Sequence, residues 1–164
     1  MTTGRHPGRP LRDRQAGVTL IEVMVVLVVV GIAAGATVMG LNGADRSARA
    51  QSEAVRLSRH LSLAVDEALV SGLALRLVWD AGGYSFQQWQ AAGDEWGPAP
   101  VPALAARHDI RPPLRMGLAD GGAAVLISAS GSGPFRQILF AGTGVPWAVG
   151  FDGFTALATA QAPS

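Results

Sequence analysis

Residues 17–41 read GVTLIEVMVVLVVVGIAAGATVMGL, and the rest of the chain is organised around them. Ahead lies a short polar leader with four arginines, Arg5, Arg9, Arg12 and Arg14, and one acid, Asp13. Between Val23 and Met39 no side chain is charged, and Thr37 is the one polar residue. At about 1.5 Å per residue, residues 18–41 as a helix span roughly 36 Å, enough to cross a hydrocarbon core of about 30 Å. Glu22 complicates a plain anchor. A carboxylate inside such a run costs on the order of 2.5–3.5 kcal/mol to insert, so it calls for a partner.

A basic leader ending in Gly17, one apolar residue, T-L-I-E-V and a long apolar helix together resemble the class III signal of type IV pilins and type II secretion pseudopilins. The resemblance implies a cut between Gly17 and Val18 by a prepilin peptidase, followed by methylation of the new N-terminus at Val18. The family usually has Phe there, so Val18 is a departure within apolar chemistry. It also implies that Glu22, one helical turn on, meets the α-amine of a neighbouring subunit, and a buried carboxylate is tolerated beside a fixed cation. Two other readings compete. A secretory signal peptide could be cut near Ala48-Arg49-Ala50, but its apolar core should be about 7–15 residues long. A plain signal anchor would let Glu22 reach the headgroups, yet leaves the order G-V-T-L-I-E-V without a cause.

The 164 residues suit one membrane segment and one compact domain. Every one of the 13 basic residues is arginine. Losing residues 1–17 removes four of them and one of the 12 acids, leaving nine against eleven and a formal charge of −2. The basic pI is thus mostly a property of the leader, whose charge holds the N-terminus in the cytoplasm. With no cysteine there is no disulfide, thiolate nucleophile or Cys-based metal site.

Helical spacing continues past the membrane boundary. No proline occurs between Pro10 and Pro98, and Ala54, Leu57, Leu61, Ala64 or Val65, Ala68 and Leu69 recur on one helix face. Arg46, Arg49, Glu53, Arg56, Arg59, Asp66 and Glu67 fill the solvated face. Carried to Val70, this helix would have 53 residues and a length of roughly 80 Å. Gly31 and Gly35 form G-x-x-x-G, a spacing that lets helices approach closely.

After Ser71-Gly72 the period changes. Leu73, Leu75, Leu77 and Trp79 alternate as a half-buried strand, Ala81-Gly82-Gly83 turns, and residues 84–89 return as a second strand. Residues 91–113, rich in Pro and Ala, read as irregular. Short strands are expected at 114–118, 125–128, 136–140, 147–151 and 154–158, separated by Gly, Asp and Pro turns. The expected fold class is α+β and pilin-like: one long N-terminal helix, half membrane-borne and half amphipathic, packed on an antiparallel β-sheet domain. Its divisions are leader 1–17, membrane half 18–41, amphipathic half 42–72, sheet domain 73–160 and loose tail 161–164.

The text RLSRHLSLAVDEALVSG at 56–72, YSFQQW at 84–89, GSGPF at 131–135 and WAVGFDG at 147–153 also resembles one subgroup, the H-type minor pseudopilins of type II secretion. That resemblance implies a structural subunit of the inner membrane, single-pass, with its C-terminal domain in the periplasm. Its partners would be membrane lipid, other major and minor pseudopilins, the prepilin peptidase and the inner-membrane assembly platform.

Catalytic chemistry is hard to assemble. His60 and His108 each have one aspartate within six residues, whereas a metal site needs three or four converging ligands. Ser128, Ser130 and Ser132 surround glycines but no G-x-S-x-G occurs, and Gly131-x-Gly133 is too short for a dinucleotide fingerprint. Asp94, Glu95 and Asp109 lack EF-hand spacing. No enzyme, cofactor or metal is expected. Trp96, among Asp94, Glu95, Gly97 and Pro98, is a candidate partner contact unless it folds back on its own sheet. Arg107, Arg111 and Arg115 are a further candidate surface. They also keep open an alternative, a minor type IV pilin that binds DNA during uptake, although a slightly acidic mature chain with no basic residue after Arg136 disfavours nucleic acid.

Overall fold

The computed structural model describes residues 20–142 and 145–162; for 37–46 it describes the backbone alone. The chain divides into two compact units, one up to Met39 and one from Gly40 onward. Helix α1, Leu20–Ser71, contributes to both.

In the first unit the apolar side chains from Leu20 to Ile32 are all exposed. Among the described residues no helix is long and apolar enough to cross a membrane. Of the expected 18–41 span, side chains are described over 20–36.

In the second unit one row of α1 is buried: Ala50, Ala54, Leu57, Leu61, Ala64, Val65 and Ala68. Both Ala64 and Val65 turn inward, and small Ala50 extends the row by a turn. Leu69, expected inside, is 44% exposed. The helix ends where Gly72, at φ 70°, donates its N–H to the Ala68 carbonyl at 3.0 Å, a left-handed stop that glycine enters without steric cost.

The strands of the expected antiparallel β-sheet domain form two sheets. In the first, β1 (Leu75–Asp80) and β2 (Gly83–Gln90) make the hairpin, β6 (Ala124–Ile127) pairs β1, and β3 (Glu95–Pro98) pairs β2. The two-residue β4 (His108–Asp109) takes the other end of the β2 edge, opposite Gly83 and Tyr84. Gly83 permits that approach: a Cβ there would lie 2.3 Å from the His108 carbonyl oxygen. The second sheet runs β5-β7-β8-β9, from β5 (Arg115–Leu118), β7 (Arg136–Ala141), β8 (Trp147–Phe151) and β9 (Ala156–Ala160). Inward residues of both sheets, including Leu77, Phe86, Ile127, Ile138, Phe140 and Phe151, join the helix row in one core. Each fully buried side chain of this kind contributes about 1.5–3 kcal/mol of transfer free energy.

Residues 91–113 are not irregular. They hold β3, the single-turn helix α2 (Pro102–Ala105) and β4. Proline hid them: Pro98 ends an edge strand, Pro102 occupies the first turn of α2, and Leu104 two residues later is fully buried. The first strand begins at Leu75 rather than Leu73. The last begins at Ala156 rather than Phe154, because the Asp152 carboxylate accepts the N–H groups of Phe154 and Thr155 and holds them in a turn.

Candidate functional site

Gly17 and Val18 lie outside the described residues. Glu22 stands in the first turn of α1, where the helix dipole favours an anion, and it is exposed. Around it the exposed Leu20, Ile21, Val23, Met24 and Val25 make an apolar surface on every side of the helix. A Cβ built on Gly31 or Gly35 would meet nothing within 4 Å. Surface of this kind needs a covering, lipid or another chain.

A polar cluster ties α1 to the first sheet in the second unit. Buried Tyr84, from β2, places its Oη 3.1 Å from Nδ1 of His60 on the helix. The two rings meet edge-on, with centroids 5.9 Å apart. With its proton on Nε2, a neutral His60 accepts a hydrogen bond from the phenol O–H at Nδ1; with its proton on Nδ1, it donates to the phenol oxygen. Burial, with the like charges of His108 and Arg56 behind it, lowers the His60 pKa against the opposing pull of Glu53. Burial and the Glu53 charge push the Tyr84 phenol up. Next to this pair, His108 Nε2 lies 2.6 Å from Glu53 Oε2, both side chains 21% exposed. The His60 and His108 rings stand 6.5 Å apart at 85°. Among the described residues no three His, Cys, Asp or Glu side chains converge as a metal site would require. The cluster joins α1 to β2 and β4.

Sequence reasoning did not anticipate Glu53 and Tyr84 as the partners of the two histidines. Tyr84 is 24 residues from His60 and His108 is 55 from Glu53. The one available signal was a lone tyrosine at an inward strand position, whose hydroxyl had to find a partner when buried.

The other candidates separate. Half-buried Trp96 folds back on its own sheet: its ring meets Trp89 edge-on at 5.4 Å, and the Arg76 guanidinium lies 4.5 Å from its centroid. Arg107 is ion-paired with Asp80 at 2.6 Å and with Asp109 at 3.0 Å. The hydrogen bonds from Arg107 are the main reason the Asp80 carboxyl titrates at about 2. Arg111 and Arg115 are exposed and line different depressions. Ser128, Ser130 and Ser132 hydrogen-bond to one another at 2.8 Å in the turn where Gly131 adopts φ 66°.

Comparison with known proteins bears on both units. Residues 12–38 match the family model described as the prokaryotic N-terminal methylation motif. No curated protein sequence matches the chain. Among solved structures, the minor pseudopilin EpsH from the Type 2 Secretion System of Vibrio cholerae is similar, with 18% identity and a TM-score of 0.57. The match covers 71% of this chain and 98% of that one. The chain thus carries an N-terminal methylation motif joined to a pseudopilin-like α+β fold.

Proposed function

We propose that the protein is an H-type minor pseudopilin, a structural, non-catalytic subunit of a type II secretion pseudopilus. The observation that carries this reading is the conjunction of a methylation motif on residues 12–38 with a pseudopilin-like fold in one chain. Prepilin peptidase cuts between Gly17 and Val18, and Val18 is methylated. Residues 18–41 hold the chain in the inner membrane, single-pass, with the leader in the cytoplasm and the sheet domain in the periplasm. On assembly the same helix leaves lipid for the filament core, where Gly31 and Gly35 admit a neighbouring helix. Glu22 pairs with the methylated amine of that neighbour and sets its position. Other major and minor pseudopilins and the inner-membrane assembly platform are its partners, and the filament drives protein export through the outer membrane.

Intact-mass and N-terminal analysis of the protein purified from its native membrane tests the reading. A chain starting at methylated Val18 is expected; a chain starting elsewhere overturns it.

A further inference from the structure

A cleft of about 420 Å³ opens in the second unit between α1 and the segment that follows β4, lined by Arg49 and Glu53 on one side and His108, Asp109, Arg111 and the Pro112–Leu114 run on the other. Its charges are unevenly matched. Glu53 is held by His108 at 2.6 Å and Asp109 by Arg107 at 3.0 Å. Arg49 and Arg111, both exposed, have no ion pair among the described residues. Two arginines without an ion pair therefore line a cleft whose own carboxylates are already engaged, beside an apolar wall of Pro112, Pro113 and half-buried Leu114.

We propose that this cleft docks an Asp or Glu side chain flanked by apolar residues on another protein. The guanidinium fork matches a carboxylate bidentately, and the proline–leucine wall suits the apolar neighbours of such a residue. Charge decides against a polyanion. Arg49 and Arg111 are the cleft's two arginines without an ion pair among the described residues, enough for one carboxylate, whereas a phosphate chain or nucleic acid backbone brings several charges and needs a longer row of cations. The proposal stands on the cleft and not on the secretion reading, so either can fail without the other.

The test uses the full chain in detergent micelles and fluorescence anisotropy of a labelled acetyl-Ala-Leu-Glu-Leu-Ala-amide. Binding at about 1 mM or tighter is expected, falling about tenfold or more with the Gln version of the peptide and with Arg49→Gln or Arg111→Gln. Arg115→Gln, in a separate depression, should leave it unchanged. Both arginines are exposed, so melting temperatures of the variants should match the parent. The proposal is overturned by absence of binding, by equal affinity for the Glu and Gln peptides, or by variants that bind like the parent. Inorganic phosphate or anionic vesicles competing as well as the peptide would make the cleft a general anion site or a lipid contact. A dimer of the full chain abolished by Arg111→Gln would make the occupant a second copy. Each of these also overturns it.

Discussion

The imidazole of His108 meets the carboxylate of Glu53 at 2.6 Å, and through it the two-residue β4 is fastened to α1. Truncating Glu53 to Ala leaves a half-buried imidazole without its acceptor and should cost about 1–3 kcal/mol, while Glu53→Gln, which keeps an acceptor, should cost less. In a double-mutant cycle with His108→Ala the two losses should not add, because both remove one contact. Thermal melts of the four proteins in detergent check this; additive losses would mean that the pair is not coupled.

Stability should fall as the solution is made acid, in two stages. The His60 pKa is lowered from its ordinary 6.5, so the folded protein binds that proton less readily than the unfolded chain. The stability this confers is complete above pH 6.5 and drains away as pH falls through the lowered value. Asp80, held at about 2 chiefly by its hydrogen bonds to Arg107, is lost later, as pH falls from about 3.8 through 2. Melting temperature followed from pH 7.5 to 5 should drop more in the parent than in His60→Gln. Identical slopes would remove His60 from the account.

Two glycines should respond in opposite ways to alanine. Gly153 has φ 96°, and a Cβ there would lie 2.4 Å from the Gly133 nitrogen. Gly153→Ala should destabilise the domain by about 2 kcal/mol or more. Gly117, within β5, has nothing within 4 Å of its would-be Cβ. Gly117→Ala should be neutral or gain up to about 1 kcal/mol. Parallel melts of the pair decide the matter.

At the helix row, Leu61→Ala should cost about 2–5 kcal/mol, since Leu61 is fully buried. Leu69→Ala, at a half-exposed position on the same helix, should cost well under half as much.

For the proposed processing, Gly17→Ala should leave the leader attached, visible as an unchanged precursor mass. Glu22→Ala should still be cut but enter filaments poorly, as read by co-purification with shear-released pseudopilins. Normal incorporation of that variant would remove the pairing of Glu22 with a neighbour's amine.

Much of this architecture could be read from residue spacing. The 3.6-residue recurrence of Ala54, Leu57, Leu61 and Ala68 gave the buried side of α1, and the alternation of Leu75 and Leu77 gave the inner face of β1. Both signals are local. The division into two sheets was not legible, because pairing of β6 with β1 joins residues about fifty positions apart that no period links. The elements of 91–113 were masked by prolines that normally punctuate loops but here occupy an edge strand and a first helical turn. Of the partner-surface candidates, Arg111 faces an open cleft, whereas Trp96 and Arg107 are occupied by Trp89, Arg76, Asp80 and Asp109, contacts set by strand pairing and ion pairing across the fold.

The buried row from Ala50 to Ala68 has a practical corollary for anyone trimming this gene. A soluble version that starts a few residues ahead of Ala50 retains every helical side chain of the buried cluster. One that starts after Leu61 would bare the greasy undersides of β1 and β2 to water, and should be recovered from cells as inclusion bodies.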